Sequence, residues 1–148
     1  MSDAVILLDT NVISELMRPK PAQIVLGWFA AHQSTELFLT AVSEAELRTG
    51  AAILPAGKRR DGLIACIDAM IHEDFAGRIL SFDSAAAKAY AAIAAGRRAA
   101  ARPIMEADCQ IAAIARVLGI ALATRNFRDF EGCGIEIVDP WRGSEASA

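Results

Sequence analysis

Five polar residues set the chemical possibilities of this chain: Asp9, Glu46, Asp108, Asn126 and Asp129. Asp9 ends the apolar run Val5-Ile6-Leu7-Leu8. A carboxylate that closes a buried strand is costly to desolvate unless something binds it. Taken singly, each of the five also has a purely structural account. Asp9 suits the N-cap of a following helix, and Ser43 with Glu46 fits a capping box. Asp108, close behind Glu106, suits the positive end of a helix dipole, and Asn126 and Asp129 are ordinary turn residues. Their positions nevertheless converge, because all fall at the ends of expected strands or the starts of the helices that follow. Carboxylates gathered in one cleft repel, so either some stay protonated or cations hold them together. Hard oxygen ligands suit Mg2+ or Mn2+. Such ions polarise a phosphate and lower the pKa of a bound water, so the reaction class is metal-assisted phosphodiester hydrolysis.

Other chemistries find less support. His32 and His72 have no partner at ligand spacing. Cys66, Cys109 and Cys133 are odd in number and lack a CxxC, which reads as reduced thiols in a cytosolic protein. Cys109 stands beside Asp108 without a nearby histidine, which argues against a thiol nucleophile. Neither GxxxxGK[ST] nor GxGxxG occurs, against nucleotide cradling. Leu8-Asp9-Thr10-Asn11 is faintly similar to the aspartyl-phosphate phosphatases, but Asn11 stands where those need a second Asp.

The elements that must position these residues follow from the pattern. Strands are expected over 5–8, 37–40, 79–82, 120–124 and 135–138, with helices over 11–17, 22–31, 43–54, 60–75, 85–98 and 103–118. The second of these helices is expected to bury Ile24, Val25, Trp28 and Phe29, and the fourth Leu63, Ile64, Ile67 and Ile71. Asp83 reads as an N-cap and Gly119 as a helix stop. Strands alternating with helices predict a three-layer α/β/α fold around a mostly parallel sheet of four to five strands. The chain holds 31 alanines among 148 residues, which favours closely packed helices over a large aromatic core. Residues 1–142 are expected to form one domain and 143–148 a tail. The N-terminus lacks the basic region of a signal peptide. No apolar stretch approaches the roughly 18 residues of a membrane span.

Read together, the motifs resemble a known family. Leu7-Leu8-Asp9-Thr10-Asn11-Val12-Ile13-Ser14-Glu15 is similar to the opening of PIN-domain proteins, in the VapC/FitB branch of bacterial toxin–antitoxin ribonucleases. The resemblance continues through Ala45-Glu46-Leu47-Arg48-Thr49-Gly50, Ala76 to Asp83, and Ala107-Asp108-Cys109-Gln110-Ile111-Ala112. It ends with Ala123-Thr124-Arg125-Asn126 through Asp139-Pro140-Trp141. Any one block is a weak match, whereas the ordered set covers nearly the whole chain and is highly specific.

The resemblance implies a PIN fold and the toxin component of a type II toxin–antitoxin system. Such a toxin is a metal-dependent endoribonuclease acting on RNA, either tRNA or rRNA, through bound Mg2+ or Mn2+. By position, Asp9 and Asp108 would be the main metal ligands, and Glu46 would complete the cluster. Thr10, Asn11 and Thr124 would support the site by hydrogen bonds. The family often has Asp where this chain has Asn126, which keeps an acceptor oxygen and loses the charge, so a second metal would bind more weakly; Asp129 could compensate, or one-metal chemistry could suffice. The resemblance further implies a cytoplasmic homodimer that assembles with a VapB- or FitA-like antitoxin, whose Arg-bearing segment enters the acidic groove. The alternative is a PIN-like protein that binds RNA or antitoxin without cutting.

The formal balance of 15 Lys+Arg against 18 Asp+Glu, net −3, excludes a basic nucleic-acid coat. Leaving out Asp9, Glu46 and Asp108, the rest of the chain balances at 15 against 15, so any nucleic-acid function rests on a local site. Lys58-Arg59-Arg60, Arg97-Arg98 with Arg102, and Arg125 with Arg128 are the candidate basic contacts. Arg125 and Arg128 flank the site and are the better phosphate contacts.

Overall fold

A run of four apolar residues cannot form a strand with one wet face, and Ile6–Leu8 (β1) is buried along its whole length. The computed structural model describes residues 5–142, so the expected tail at 143–148 lies outside the described residues. β1 is the centre of a five-stranded sheet completed by β2 (Leu37–Thr40), β3 (Ile79–Leu80), β4 (Ala121–Ala123) and β5 (Ile137–Val138). The strand order is β3-β2-β1-β4-β5 and every neighbouring pair is parallel.

Strand residues alternate between faces, and the core divides accordingly. Ile6 and Leu8 pack with Val12, Trp28, Leu47 and Ile67 on one side. Leu7 points the other way, into Ile93, Ile111, Leu122 and Phe130. The first layer holds α1 (Thr10–Leu16), α2 (Gln23–Ala30), α3 (Ala41–Ala52) and α4 (Lys58–Ala69). The second holds α5 (Ser84–Ala99) and α6 (Glu106–Leu118), which pack against each other through buried Ala86, Ala112 and Ala113. This is the expected α/β/α sandwich, with all five strands formed and parallel throughout.

Several boundaries differ from expectation for identifiable reasons. α3 starts at Ala41, not Ser43, because the Thr40 hydroxyl accepts the Ser43 N–H at 2.9 Å and caps the helix earlier. α6 starts at Glu106, not Pro103, because Met105 is extended and the Arg102 carbonyl is turned back to Arg97 Nε at 2.7 Å. The helix expected over 60–75 is regular only to Ala69, and a π-helical turn follows over Met70–Asp74. Ile24 and Ile64 face outward at 46% and 36% exposure, because Val25 with Trp28, and Ile67 with Ile71, already form the buried stripes. Asp83 does cap α5, accepting from Ala86 N–H, and Gly119 ends α6 at φ 66, where a side chain would be strained.

Candidate active site

The strand order reverses direction at β1, between β1 and β4, and in an open parallel sheet the ligand crevice lies outside the strand ends at such a point. The β1–β4 register pairs Leu8 with Ala123, which brings the next residues, Asp9 and Thr124, side by side. The Thr124 hydroxyl donates to Asp9 Oδ2 at 2.7 Å, and the Thr10 N–H donates to Asp9 Oδ1 at 2.8 Å. Thr124 Oγ1 in turn accepts from Asn11 Nδ2 and from the Asn126 N–H, and Asn11 Oδ1 accepts the Arg125 N–H. Asp9 therefore does cap α1, but it is also 5% exposed and tied into a network spanning two strand ends. Burial pushes its carboxyl above the usual carboxylate range. The two hydrogen bonds pull back, and the charges of Glu46 and Asp129 push further up.

Glu46 reaches the same place from β2 and α3. Ser43 and Glu46 are three residues apart on one face of α3, so both meet Thr10. Thr10 Oγ1 lies 2.6 Å from Glu46 Oε1, to which it donates, and 2.8 Å from the Ser43 hydroxyl. The expected capping box is thus absent, because Glu46 is turned to Thr10 rather than to its own helix end. Ser43 is a member of this network that the sequence presented only as a cap.

Asp108 comes from the first turn of α6. Its carboxyl is pushed up to about 6, first by burial and then by the negative charges of Asp9, Asp129 and Glu46, with Arg97 pulling the other way. Asp129 sits in the 3-10 turn Phe127–Phe130 and is felt by both Asp9 and Asp108. The charge of Asp129 thus acts on both carboxylates. Asn126, at the start of the same turn, joins through its backbone N–H to Thr124.

None of the ion pairs among the described residues involves Asp9, Glu46, Asp108 or Asp129. Burial and the neighbouring carboxylates raise Asp9 and Asp108, and none of the four is held by an ion pair among the described residues, a donor set suited to a hard divalent ion. Among the described residues no three acidic, histidine or cysteine side chains close around a common point. An open arrangement of this kind still fits Mg2+, which is usually held by one or two carboxylates and keeps several waters.

The basic candidates separate in space. Arg125 and Arg128 are exposed beside the acidic cluster, with the Arg125 guanidinium 5.0 Å above the Trp141 ring. Arg97, one of the candidate basic contacts, is instead buried. It is 7% exposed because its spacing from Ile93 places it on the buried face of α5, and it donates to the carbonyls of Arg102, Asp129 and Glu131. That i to i+4 spacing was the available signal for its burial. A groove of about 340 Å3 runs from Thr10 and Glu46 between α1, α3 and α4, over Leu47, Leu54, Leu63 and Ile67, with Arg18 and Arg59 also lining it. A larger cavity of about 880 Å3 lies among α1, α2 and α4, and none of the four carboxylates lines it.

Comparison with known proteins agrees with this fold. The PIN domain family matches residues 6–132. Over 136 residues, 92% of this chain, the sequence is 45% identical to the plasmid stability protein StbB of Pseudomonas syringae pv. tomato, of which 98% is covered. It is 42% identical to the VapC ribonuclease Y4jK of Sinorhizobium fredii, with 92% of this chain and 97% of that one covered. The crystal structure of FitAcB from Neisseria gonorrhoeae superposes with a TM-score of 0.86 at 39% identity, covering 92% of this chain and 98% of that one. A matching fold, an ordered set of motifs and these relatives leave one assignment: the chain belongs to the PIN-domain family, in the branch that includes the VapC and FitB toxins.

Proposed function

We propose that this protein is the toxin of a type II toxin–antitoxin system and acts as an Mg2+- or Mn2+-dependent endoribonuclease. The observation that carries the reading is the convergence of Asp9, Glu46, Asp108 and Asp129 at the β1–β4 switch point with no ion pair to any of them among the described residues. Asp9 and Asp108 would hold the ion, and Glu46, exposed and hydrogen-bonded through Oε1, would take the proton of the attacking water at Oε2. A bound divalent ion supplies polarisation of the phosphate and a lower pKa for that water. Thr124 and Thr10 keep the Asp9 carboxylate oriented, and Asn11 fixes the loop after β4 through Thr124 and the Arg125 N–H. Arg125 and Arg128 contact RNA phosphates, with tRNA or rRNA as the substrate class.

The same acidity explains inhibition. A VapB- or FitA-like antitoxin would lay an apolar segment along the groove beside α3 and present a guanidinium to Glu46 and its neighbours, competing with the metal. The toxin is expected to act in the cytosol as a homodimer, as one domain spanning residues 1–142. Incubation of the antitoxin-free protein with total RNA and Mg2+ or Mn2+ tests the enzymatic reading against Asp9→Asn. Cleavage by the wild type alone is expected. Intact RNA, or equal cleavage by Asp9→Asn, would leave the non-cleaving alternative, a PIN protein that only binds RNA or antitoxin.

A further inference from the structure

The guanidinium of Arg97, whose charge acts on Asp108, is held in an arrangement unusual for an arginine. It is almost wholly buried and forms no ion pair among the described residues. Its acceptors are main-chain carbonyls: Nε donates to Arg102 O at 2.7 Å, and Nη1 reaches Asp129 O at 2.9 Å and Glu131 O at 3.0 Å. Nη1 also lies 3.6 Å from Cys133 Sγ. A buried charge without a paired carboxylate is expensive. Two features offset that cost here: the convergent carbonyl dipoles, and the negative field of the carboxylates above. Arg97 is among the charges felt by Asp108.

These contacts have a direction. They run from the end of α5 to the segment that leaves β4, and they grip its backbone at Asp129, the residue whose charge acts on Asp9 and Asp108. The rest of that turn is held locally, by Asp129 N–H to Asn126 O and by Cys133 N–H to Phe130 O. Arg102 adds a second, exposed tie to Arg128 O and Glu131 Oε1. We infer that Arg97 is a positioning residue that holds Asp129 in the acidic cluster and thereby sets the affinity of the site for its divalent ion. The inference rests on the metal-site reading above and adds to it the residue that makes Asp129 the fourth carboxylate. A lysine cannot replace Arg97, because an ammonium lacks the planar fork that spans several carbonyls at once.

Mn2+ binding by calorimetry, without RNA, tests the idea on wild type, Arg97→Lys, Asp129→Asn, the double variant and Asp9→Asn. Trypsin cleavage after Arg128 reports the turn independently. Outer-shell partners of metal ligands typically change affinity by about 10- to 100-fold. Arg97→Lys and Asp129→Asn are each expected to weaken Mn2+ about tenfold, and Arg97→Lys to speed cleavage after Arg128. If Arg97 acts through Asp129, adding Arg97→Lys to Asp129→Asn changes affinity less than about twofold. A folded Arg97→Lys with wild-type affinity, or equal losses in both backgrounds, would overturn the inference, since a merely structural arginine lowers the melting temperature and nothing else. Should Arg97→Lys not fold, Asp129→Asn decides: a tenfold loss supports the inference and unchanged affinity refutes it. Loss of binding in Asp9→Asn alone would leave the nuclease reading standing while this inference falls.

Discussion

Thr124 Oγ1 donates to Asp9 Oδ2 at 2.7 Å across 115 positions of sequence, and both residues are buried. That single bond joins the ends of the two strands between which the sheet reverses its order, and it aims the carboxylate at the crevice.

Removing the hydroxyl while keeping the shape separates orientation from packing. Thr124→Val leaves one oxygen of a buried carboxylate unsatisfied, at a cost of about 1–3 kcal/mol. It also strips Asp9 of a hydrogen bond that favours its charged form. Metal-dependent RNA cleavage is expected to fall at least about tenfold, as for other outer-shell partners of metal ligands. Thermal melts and kcat/KM on a defined RNA check this; unchanged values for both would contradict the role given to Thr124.

The acidic cluster makes stability depend on pH in a definite direction. Asp108 titrates at about 6 in the fold against an ordinary value of 3.8, and Asp9 is raised in the same sense. The folded state therefore holds protons that the unfolded chain has released. This contribution is fully present below about pH 4 and is lost as pH rises through about 6. A divalent ion replaces those protons, so Mn2+ should raise the melting temperature more at pH 7.5 than at pH 5. Melts in EDTA and in Mn2+ at both pH values read this directly, and a larger metal shift at pH 5 would be the contrary result.

The three cysteines should differ sharply in reactivity. Cys66 is exposed, whereas Cys109 and Cys133 are buried. Burial pushes the Cys109 thiol up to about 11 and raises that of Cys133, so neither offers a thiolate near neutral pH. A disulfide reagent is expected to modify Cys66 rapidly in the native protein and the other two only on unfolding. Rapid native labelling of Cys109 would mean that the α5–α6 layer opens readily.

Much of the architecture could be read in advance because its signals are local. An uninterrupted apolar run that ends in a carboxylate marks β1 and Asp9, since a parallel strand covered on both faces tolerates few polar residues before its end. Asp83 and Gly119 mark helix ends for reasons contained within a few residues of chain. Asp9, Glu46 and Asp108 stand out as candidates by their places after strands and at helix starts. The boundaries that moved did so where distant groups intervened: the Arg102 carbonyl that turns back to buried Arg97, and the outward placement of Ile24 once Val25 and Trp28 had filled the core.

The details that decide chemistry belong to the tertiary structure. Ser43 and Glu46 satisfy a capping pattern equally well in a lone helix; only the approach of Thr10 from α1 turns them into the site. Asn126 and Asp129 are equivalent turn residues until the grip of Arg97 on the Asp129 carbonyl sets that turn, from which the Asp129 charge reaches Asp9 and Asp108. Sequence alone determined which oxygen-bearing residues the chain possesses and which strand and helix ends would carry them, because hydrophobic periodicity and caps act over a few residues. The tertiary structure alone decided which of them share a crevice and which charges are buried, because desolvation and Coulomb energies depend on neighbours more than 100 positions away in the chain, as Asp9 and Thr124 are.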